Sequence, residues 1–378
     1  MIYLDYAAAT PLSRKARLAM EPFLTDEFYN PSSVYAKART VRDNFEDARH
    51  SIAKVIGANQ NEIIITAGAT ESINLALGSF SHIVTTDIEH AAILECANQF
   101  RAKVDTDGRV NLKDLRKKIT SDTDLVSVGY ANSEIGTIQP IKEIAEIIRE
   151  ERAKRLKVGN KMPIYFHTDA SAVAGLLDLK VSRLGVDLMT VNSSKCYGPK
   201  QVGALYVKTG ISLKPLIRGG GQEMGLRSGT ENVAGAIGFA VALEQAERKR
   251  KSEVKRLSIL RDDLDRFIMN EFDSVRINSG SKYRLPNIIN FSLPGLDGER
   301  TVFALDFAGL MCATGSACSA NKGVRSHVLE AIGLTDREID GSIRMSLGRF
   351  TTKKDIEKIK KILKLVLPRE FKISQEQG

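Results

Sequence analysis

The stretch Ile63-Ile64-Ile65-Thr66-Ala67-Gly68-Ala69-Thr70-Glu71 reads as a short buried strand, a tight turn and the start of a helix. A small-residue turn that opens a helix aims backbone N–H groups at whatever lies above it, an arrangement suited to a phosphate. Thr70 adds a hydroxyl, and an ordinary capping threonine is the plain alternative. Upstream, Val41, Phe45, Ala48, Ile52 and Val55 recur at helical spacing between Ala36 and Ile56, and Gly57 follows as a stop. Downstream the alternation repeats. Asp124 to Val128, Ile164 to His167, Val186 to Val191 and Ala204 to Val207 are strand-like, and Ile141 to Arg149 is helical. Short apolar strands alternating with amphipathic helices predict an α/β fold with a mostly parallel sheet.

A long helix is expected over Glu244 to Asn270, then a smaller α+β region. In that region Ile288 to Phe291 reads as strand and Glu299 to Phe307 as helix. Ala313 to Gly323 is a loop of small residues, and Thr351 to Leu367 is a terminal helix stopped by Pro368. Only Ser374 to Gly378 has the composition of a disordered tail.

The 378 residues, 43% hydrophobic, can bury a substantial core. Met1 to Thr10 lacks the layout of a secretory signal, and no apolar run nears the roughly 20 residues of a membrane span. A soluble, cytoplasmic protein without membrane attachment is the expectation. Lys and Arg outnumber Asp and Glu, 55 to 46, for a net charge of +9. Two basic runs, Arg149 to Lys161 and Arg248 to Lys251, read as solvated helix ends and loops. No aromatic residues interleave with them, so direct nucleic-acid binding is not expected. The four cysteines form no C-x-x-C pair, and no structural metal is expected. Cys96, Cys196 and Cys312 have apolar neighbours and read as buried. Cys318 lies in Ala313-Thr314-Gly315-Ser316-Ala317-Cys318-Ser319, where nothing bulky surrounds it, so it is the candidate nucleophile.

His167-Thr168-Asp169 closes one strand-like run, and Asn192-Ser193-Ser194-Lys195 follows another. Sites in such sheets lie beyond the carboxyl ends of the strands. An Asp and a Lys placed there are the pair that pyridoxal phosphate needs, one to keep the ring nitrogen protonated and one to join the aldehyde. The same residues are equally compatible with a helix cap and an exposed lysine. Arg227, after the glycines Gly219 to Gly221, and Arg344, in a strand-like stretch, could each grip an anion or serve a structural ion pair.

Taken in order, Tyr3-Leu4-Asp5-Tyr6-Ala7, Asn30-Pro31-Ser32-Ser33, Gly68-Ala69-Thr70-Glu71-Ser72, Glu89-His90, Asn132-Ser133-Glu134-Ile135-Gly136, Arg227-Ser228-Gly229-Thr230, Gly315-Ser316-Ala317-Cys318 and Ser342-Ile343-Arg344 closely resemble the cysteine desulfurases of the NifS/IscS type. These are class V aminotransferases of fold type I, and the resemblance runs from about residue 2 to residue 365. It implies a pyridoxal-phosphate-dependent transferase fold, with a seven-stranded sheet in a large domain, residues 13–250. Residues 1–12 and 251–378 would form the smaller α+β domain carrying the Cys318 loop.

The resemblance also implies roles. Lys195 matches the lysine that carries the cofactor as a Schiff base, Asp169 the partner of the ring nitrogen, and His90 the histidine stacked on the ring. Ala69, Thr70, Asn192, Ser193 and Ser194 match cofactor-holding positions, and Thr230 the threonine that reaches the phosphate from the second subunit of a homodimer. Ser133 and Arg344 match substrate-binding positions, Arg344 for the carboxylate of L-cysteine. Cys318 matches the cysteine that becomes a persulfide and passes sulfur to an iron–sulfur scaffold or tRNA-thiolation enzyme. Three positions depart from the family: Ala172 stands where Gln is usual, Ser133 where Asn is usual, and Ser194 where His is usual. Two other readings follow from those departures and from the family's breadth. One is a selenocysteine lyase or other pyridoxal-phosphate lyase or aminotransferase, and the other a non-catalytic sulfur-relay or scaffold subunit.

Overall fold

A computed structural model describes residues 1–97, 99–315 and 325–377. The first part of the chain runs β1 (Ile2–Tyr3), α1 (Arg14–Met20), α2 (Ala36–Ile56), β2 (Ile63–Thr66), α3 (Ala69–Leu77), β3 (Ile83–Thr86), α4 (Ala91–Leu94) and β4 (Phe100–Ala102). It continues with α5 (Leu112–Lys118), β5 (Leu125–Ser127), α6 (Ile141–Lys157), β6 (Tyr165–Asp169), α7 (Val181–Leu184), β7 (Leu188–Asn192) and β8 (Gly203–Val207). The 39-residue α8 (Val233–Glu271) leads to β9 (Arg276–Ile277), β10 (Ile288–Ser292), α9 (Gly298–Phe307) and β11 (Leu310–Met311). The last described elements are α10 (His327–Ala331), α11 (Asp336–Asp340), β12 (Ser342–Ser346) and α12 (Lys353–Gln377).

Seven strands form the main sheet in the order β2-β8-β7-β6-β5-β3-β4. All neighbours are parallel except β8, which is antiparallel to both β2 and β7. The expected mostly parallel sheet is therefore present. Its strands are buried along nearly their whole length, which is why they read as apolar runs and not as alternations. Val41, Phe45, Ala48, Ile52 and Val55 are the buried stripe of α2, and Gly57 closes it in the left-handed conformation, φ 76°.

The smaller sheet has the order β12-β10-β9, all antiparallel, and β1 pairs with β11 beside it. Helix α8 serves two hydrophobic clusters. Its first half, with Ala236, Phe239 and Leu243, packs in the core of the main sheet. Its second half, with Leu257, Leu264 and Ile268, packs with β10, β12 and α12. Among the described residues no helix is long and apolar enough to cross a membrane.

Five expectations need correction. Helix α8 starts eleven residues before Glu244, at Val233 after the capping Asn232, because Ala234, Gly235, Ala236 and Gly238 carry too little side chain to show a periodicity. Pro368 does not stop α12, which continues to Gln377. Arg300 holds that last stretch, donating to the Glu370 carboxylate at 2.9 Å and to Ser374 Oγ at 2.6 Å, so Ser374 to Gln377 is helical. The run from Arg149 is not simply a solvated helix end. Arg155 is 3% exposed and donates to the carbonyls of Thr120 and Thr123, and Arg152 donates to Ile164 O and pairs with Asp187. Cys196 is buried as expected, whereas Cys96 and Cys312 are only partly so.

Candidate active site

The antiparallel β8 brings the ends of two strands level. Gly203 pairs with Thr66 at the end of β2 and with Asn192 at the end of β7. A side chain at Gly203 would stand 2.8 Å from Val191 O and 2.9 Å from Gly68 Cα, so glycine is what lets the two ends meet. The Gly68 turn therefore opens beside the Asn192–Lys195 turn. Gly68 itself has φ 132°, open to glycine, and only the Asn192 amide oxygen would come within 4 Å of a side chain there. Asn192 caps the single tight turn that delivers Lys195, its oxygen accepting from Ser194 N at 3.4 Å. On the neighbouring parallel strand, Asp169 pairs with Thr190. Asp169 and Lys195 thus leave the same edge of the sheet from adjacent strands.

The Lys195 ammonium donates to the carbonyls of Ala7 and Ala8, at 2.5 and 2.6 Å. The first residues of the chain are held against this turn. Thr10 N and Oγ1 both donate to Ser194 O, and Thr10 Oγ1 accepts from Tyr197 N. A cavity of about 60 Å³ adjoins Lys195, with Ala7, Ser133, Ala172, Tyr197 and Arg349 among its walls. Ala172, one of the three departures from the family pattern, leaves part of this space open.

Glu89 and Glu134 are two buried carboxyls next to site residues. Glu89 accepts from Thr86 Oγ1 at 2.7 Å and from Gly129 N at 2.9 Å. Burial pushes it up to about 8, against those hydrogen bonds, and the nearby charge of Asp169 adds to the rise. The adjoining His90 is exposed at the start of α4, where Nδ1 accepts from Ala92 N. Asn132 ties this loop to the next one, donating to Ile88 O while its oxygen accepts from Glu134 N and Ile135 N. His167, two residues before Asp169, is a satisfied core residue. Its ring lies between Ser127 Oγ and Thr190 Oγ1, and burial lowers it to about 4, so it stays neutral.

Arg344 sits mid-strand in β12, opposite Asn290, and is 2% exposed. One Nη donates to Asp5 Oδ1 at 2.7 Å, and its buried Nε has no hydrogen-bond partner among the described residues. A buried guanidinium with an unsatisfied donor is suited to a carboxylate. Arg227, by contrast, pairs with Glu71 at 3.0 Å, which leaves it tying the 227–230 segment to α3.

The structure thus gathers Ala69, Asp169, Asn192, Ser194 and Lys195 at one sheet edge, with Ser133 on the wall of the adjoining cavity. Ser193 is different. Its hydroxyl occupies the place a Gly198 side chain would take, 2.1 Å from that ideal Cβ, so it faces inward. Thr230 is exposed. Cys318 lies outside the described residues. Burial raises the thiols of the other three cysteines, Cys196 and Cys312 to about 12, which leaves them poor nucleophiles. Glu134, Asp5 and Asn132 carry contacts here that their residue types alone do not announce.

The donors present fit pyridoxal phosphate. They are a glycine cradle at a helix start, a lysine and an aspartate on adjacent strand ends, and, two residues from Asp169, a buried Ser171 hydroxyl with no partner among the described residues. The model of the family described as aminotransferase class-V matches residues 2–359. A cysteine desulfurase IscS of Dictyoglomus turgidum is 42% identical, with 99% of this chain and 96% of that protein aligned. The chain belongs to the class-V aminotransferases, among the cysteine desulfurases. IscS 1 of Archaeoglobus fulgidus is 39% identical over 98% of this chain and 97% of its own length. A solved NifS-like protein superposes with a TM-score of 0.88 at 32% identity, covering 97% of this chain and 99% of that one. These class-V aminotransferases are pyridoxal-phosphate enzymes of fold type I, and the α/β sheet with Lys195 at its edge is that fold.

Proposed function

We propose that this class-V aminotransferase is a desulfurase that draws sulfur from L-cysteine, leaves L-alanine and carries the sulfur as a persulfide on Cys318. The observation that carries the reading is the pairing of Asp169 with Thr190, which sets the aspartate on the strand next to the one that delivers Lys195. When bound, pyridoxal phosphate supplies an aldehyde for Lys195 and an electron sink next to the substrate's Cα. The N–H groups at Ala69 and Thr70, with Asn192 and Ser194, hold its phosphate end, and Asp169 keeps a proton on the ring nitrogen. Arg344 takes the cysteine carboxylate, with Ser133 beside it. The Lys195 amine removes the α-proton, and His90 assists proton movement. The Cys318 thiolate attacks the substrate sulfur, so an S–S bond forms as the Cβ–S bond breaks; its electron pair stays with the substrate, which takes a proton at Cβ and regains one at Cα from Lys195 before alanine departs.

Residues 13–250 hold the cofactor, and 1–12 with 251–378 form the second domain. A homodimer completes the site through Thr230 of the second subunit. Exposed apolar side chains at Leu24, Phe28, Val34, Leu216, Ile217 and Met224 support such a contact. Sulfur then passes to an iron–sulfur scaffold or a tRNA-thiolation enzyme in the cytoplasm, a compartment in which a reactive thiol stays reduced. A solved protein named SspA, in complex with cysteine, is 31% identical with a TM-score of 0.76, which supports cysteine as the substrate.

The test is a visible spectrum of the purified protein with pyridoxal phosphate, before and after cysteine, together with assays for alanine and persulfide. A yellow band that borohydride bleaches, fixing the cofactor on Lys195, and a stoichiometric yield of alanine are expected. A colourless protein under those conditions would sink the reading.

A further inference from the structure

Ser326 and His327 begin α10, directly after the segment that contains Cys318, and both are tied to loops of the main sheet. Ser326 Oγ donates to Glu134 Oε1 at 2.5 Å while accepting from Leu329 N at 3.3 Å, so one hydroxyl joins the carboxyl to the first turn of α10. His327 Nε2 lies 3.0 Å from Glu89 O. On the other side of the segment, Gly315 is buried against the same carboxyl. A side chain there would stand 3.0 Å from Glu134 Oε1. Two residues earlier, Ala313 exchanges backbone hydrogen bonds with Arg344, at 2.6 and 3.1 Å.

Glu134 itself is fixed from both layers. Its backbone N–H is held by Asn132, and its carbonyl accepts from Asn290 Nδ2 at 3.1 Å. It is 2% exposed, and the hydrogen bond from Ser326 and the charge of Arg344 work against the penalty of burial. An apolar side chain would fill this position without the desolvation penalty that a buried carboxyl carries unless its partners hold it. Its carboxyl accepts a hydrogen bond from Ser326, after the segment that contains Cys318, and packs against Gly315, before it.

We propose that Glu134, on the loop that also carries Ser133, is a positioning residue for sulfur transfer, its carboxyl accepting from Ser326 and packing against Gly315 and so setting where the Cys318 segment begins and ends relative to the bound substrate. The inference rests on the desulfurase reading and adds to it a residue that touches neither cofactor nor sulfur. Misplacing a reacting group by about an ångström lowers its rate by roughly a hundredfold, so loss of the tether acts on transfer and spares the earlier events.

The test uses the cofactor-loaded enzyme in single turnover, following the spectral change caused by cysteine and, by mass spectrometry of the alkylated peptide, the persulfide on Cys318. For Glu134→Ala and Ser326→Ala the spectral change is expected within about twofold of the unsubstituted enzyme, and persulfide formation about ten- to a hundredfold slower. Glu134→Gln, which still accepts from Ser326, restores most of that rate. In the cofactor-free protein, Glu134→Ala speeds hydrogen exchange at the amides of 329–331 and leaves α3 unchanged. Should Glu134→Ala fail to fold, Ser326→Ala carries the same test alone. Persulfide formation at the unsubstituted rate in these variants overturns the proposal. An unsubstituted enzyme that forms alanine but no persulfide overturns instead the role given to Cys318, and the tether's with it.

Discussion

Arg344 and Asp5 join the last strand of the chain to its first residues, guanidinium to carboxylate at 2.7 Å. The contact orients a buried cation while leaving its Nε unsatisfied. Lysine keeps the charge but lacks the planar fork. Arg344→Lys is therefore expected to raise the KM for cysteine by about ten- to a hundredfold, equivalent to one or two charge-assisted hydrogen bonds, with cofactor affinity unchanged. Steady-state kinetics with a cofactor titration distinguish the two. An unchanged KM would remove Arg344 from the substrate site.

Lys195 and Cys318 separate into different defects. Lys195→Ala is expected to lose the yellow band and desulfuration together. Cys318→Ala is expected to keep the band, respond spectrally to cysteine and release no sulfide. Undiminished sulfide from the second variant would mean that another group takes the sulfur, although burial has raised the thiols of Cys96, Cys196 and Cys312.

Two buried groups give stability opposite dependences on pH. Burial moves Glu89 from 4.5 to about 8, so across that window the folded protein keeps a proton that the unfolded chain has released, and stability falls as pH rises. Burial moves His167 from 6.5 to about 4, so across its window the unfolded chain holds the extra proton and stability rises with pH. Glu89→Gln should therefore abolish the decline between pH 6.5 and about 8 and unmask, between about 4.5 and 6.5, the rise that the two groups cancel in the unsubstituted protein. Melting temperatures across this range are the measurement, and matching slopes above pH 6.5 would count against the prediction.

Ala172 lines the cavity beside Lys195, so a longer side chain has space to enter. Ala172→Gln is expected to fold normally, shift the absorption maximum and slow cofactor release. One added hydrogen bond, about 1 kcal/mol, corresponds to roughly fivefold in affinity. An unchanged spectrum and release rate would show that the amide does not reach the cofactor.

The elements that position the cofactor were legible because they are buried on both faces or striped on one. The run Ile63 to Thr66, the stripe of α2 and the glycine at 57 left clear marks in the residues. The first turns of α8 left none, being built of alanine and glycine. Pro368 misled because a proline removes only one hydrogen bond, and the grip of Arg300 on Glu370 and Ser374 outweighs it here. The site residues were legible through their motifs, whereas the partners that hold them were not. Glu89, Glu134 and Asp5 act from the interior or across the whole length of the chain, and no periodicity records which backbone will come to face a carboxyl.

Helix α8 is a rod of about 58 Å at 1.5 Å per residue, with one end in each apolar cluster. A rod shared in this way makes melting contagious. Neither cluster can come apart without stripping a face from the helix that the other needs, so heat should meet one cooperative block and not two independent ones.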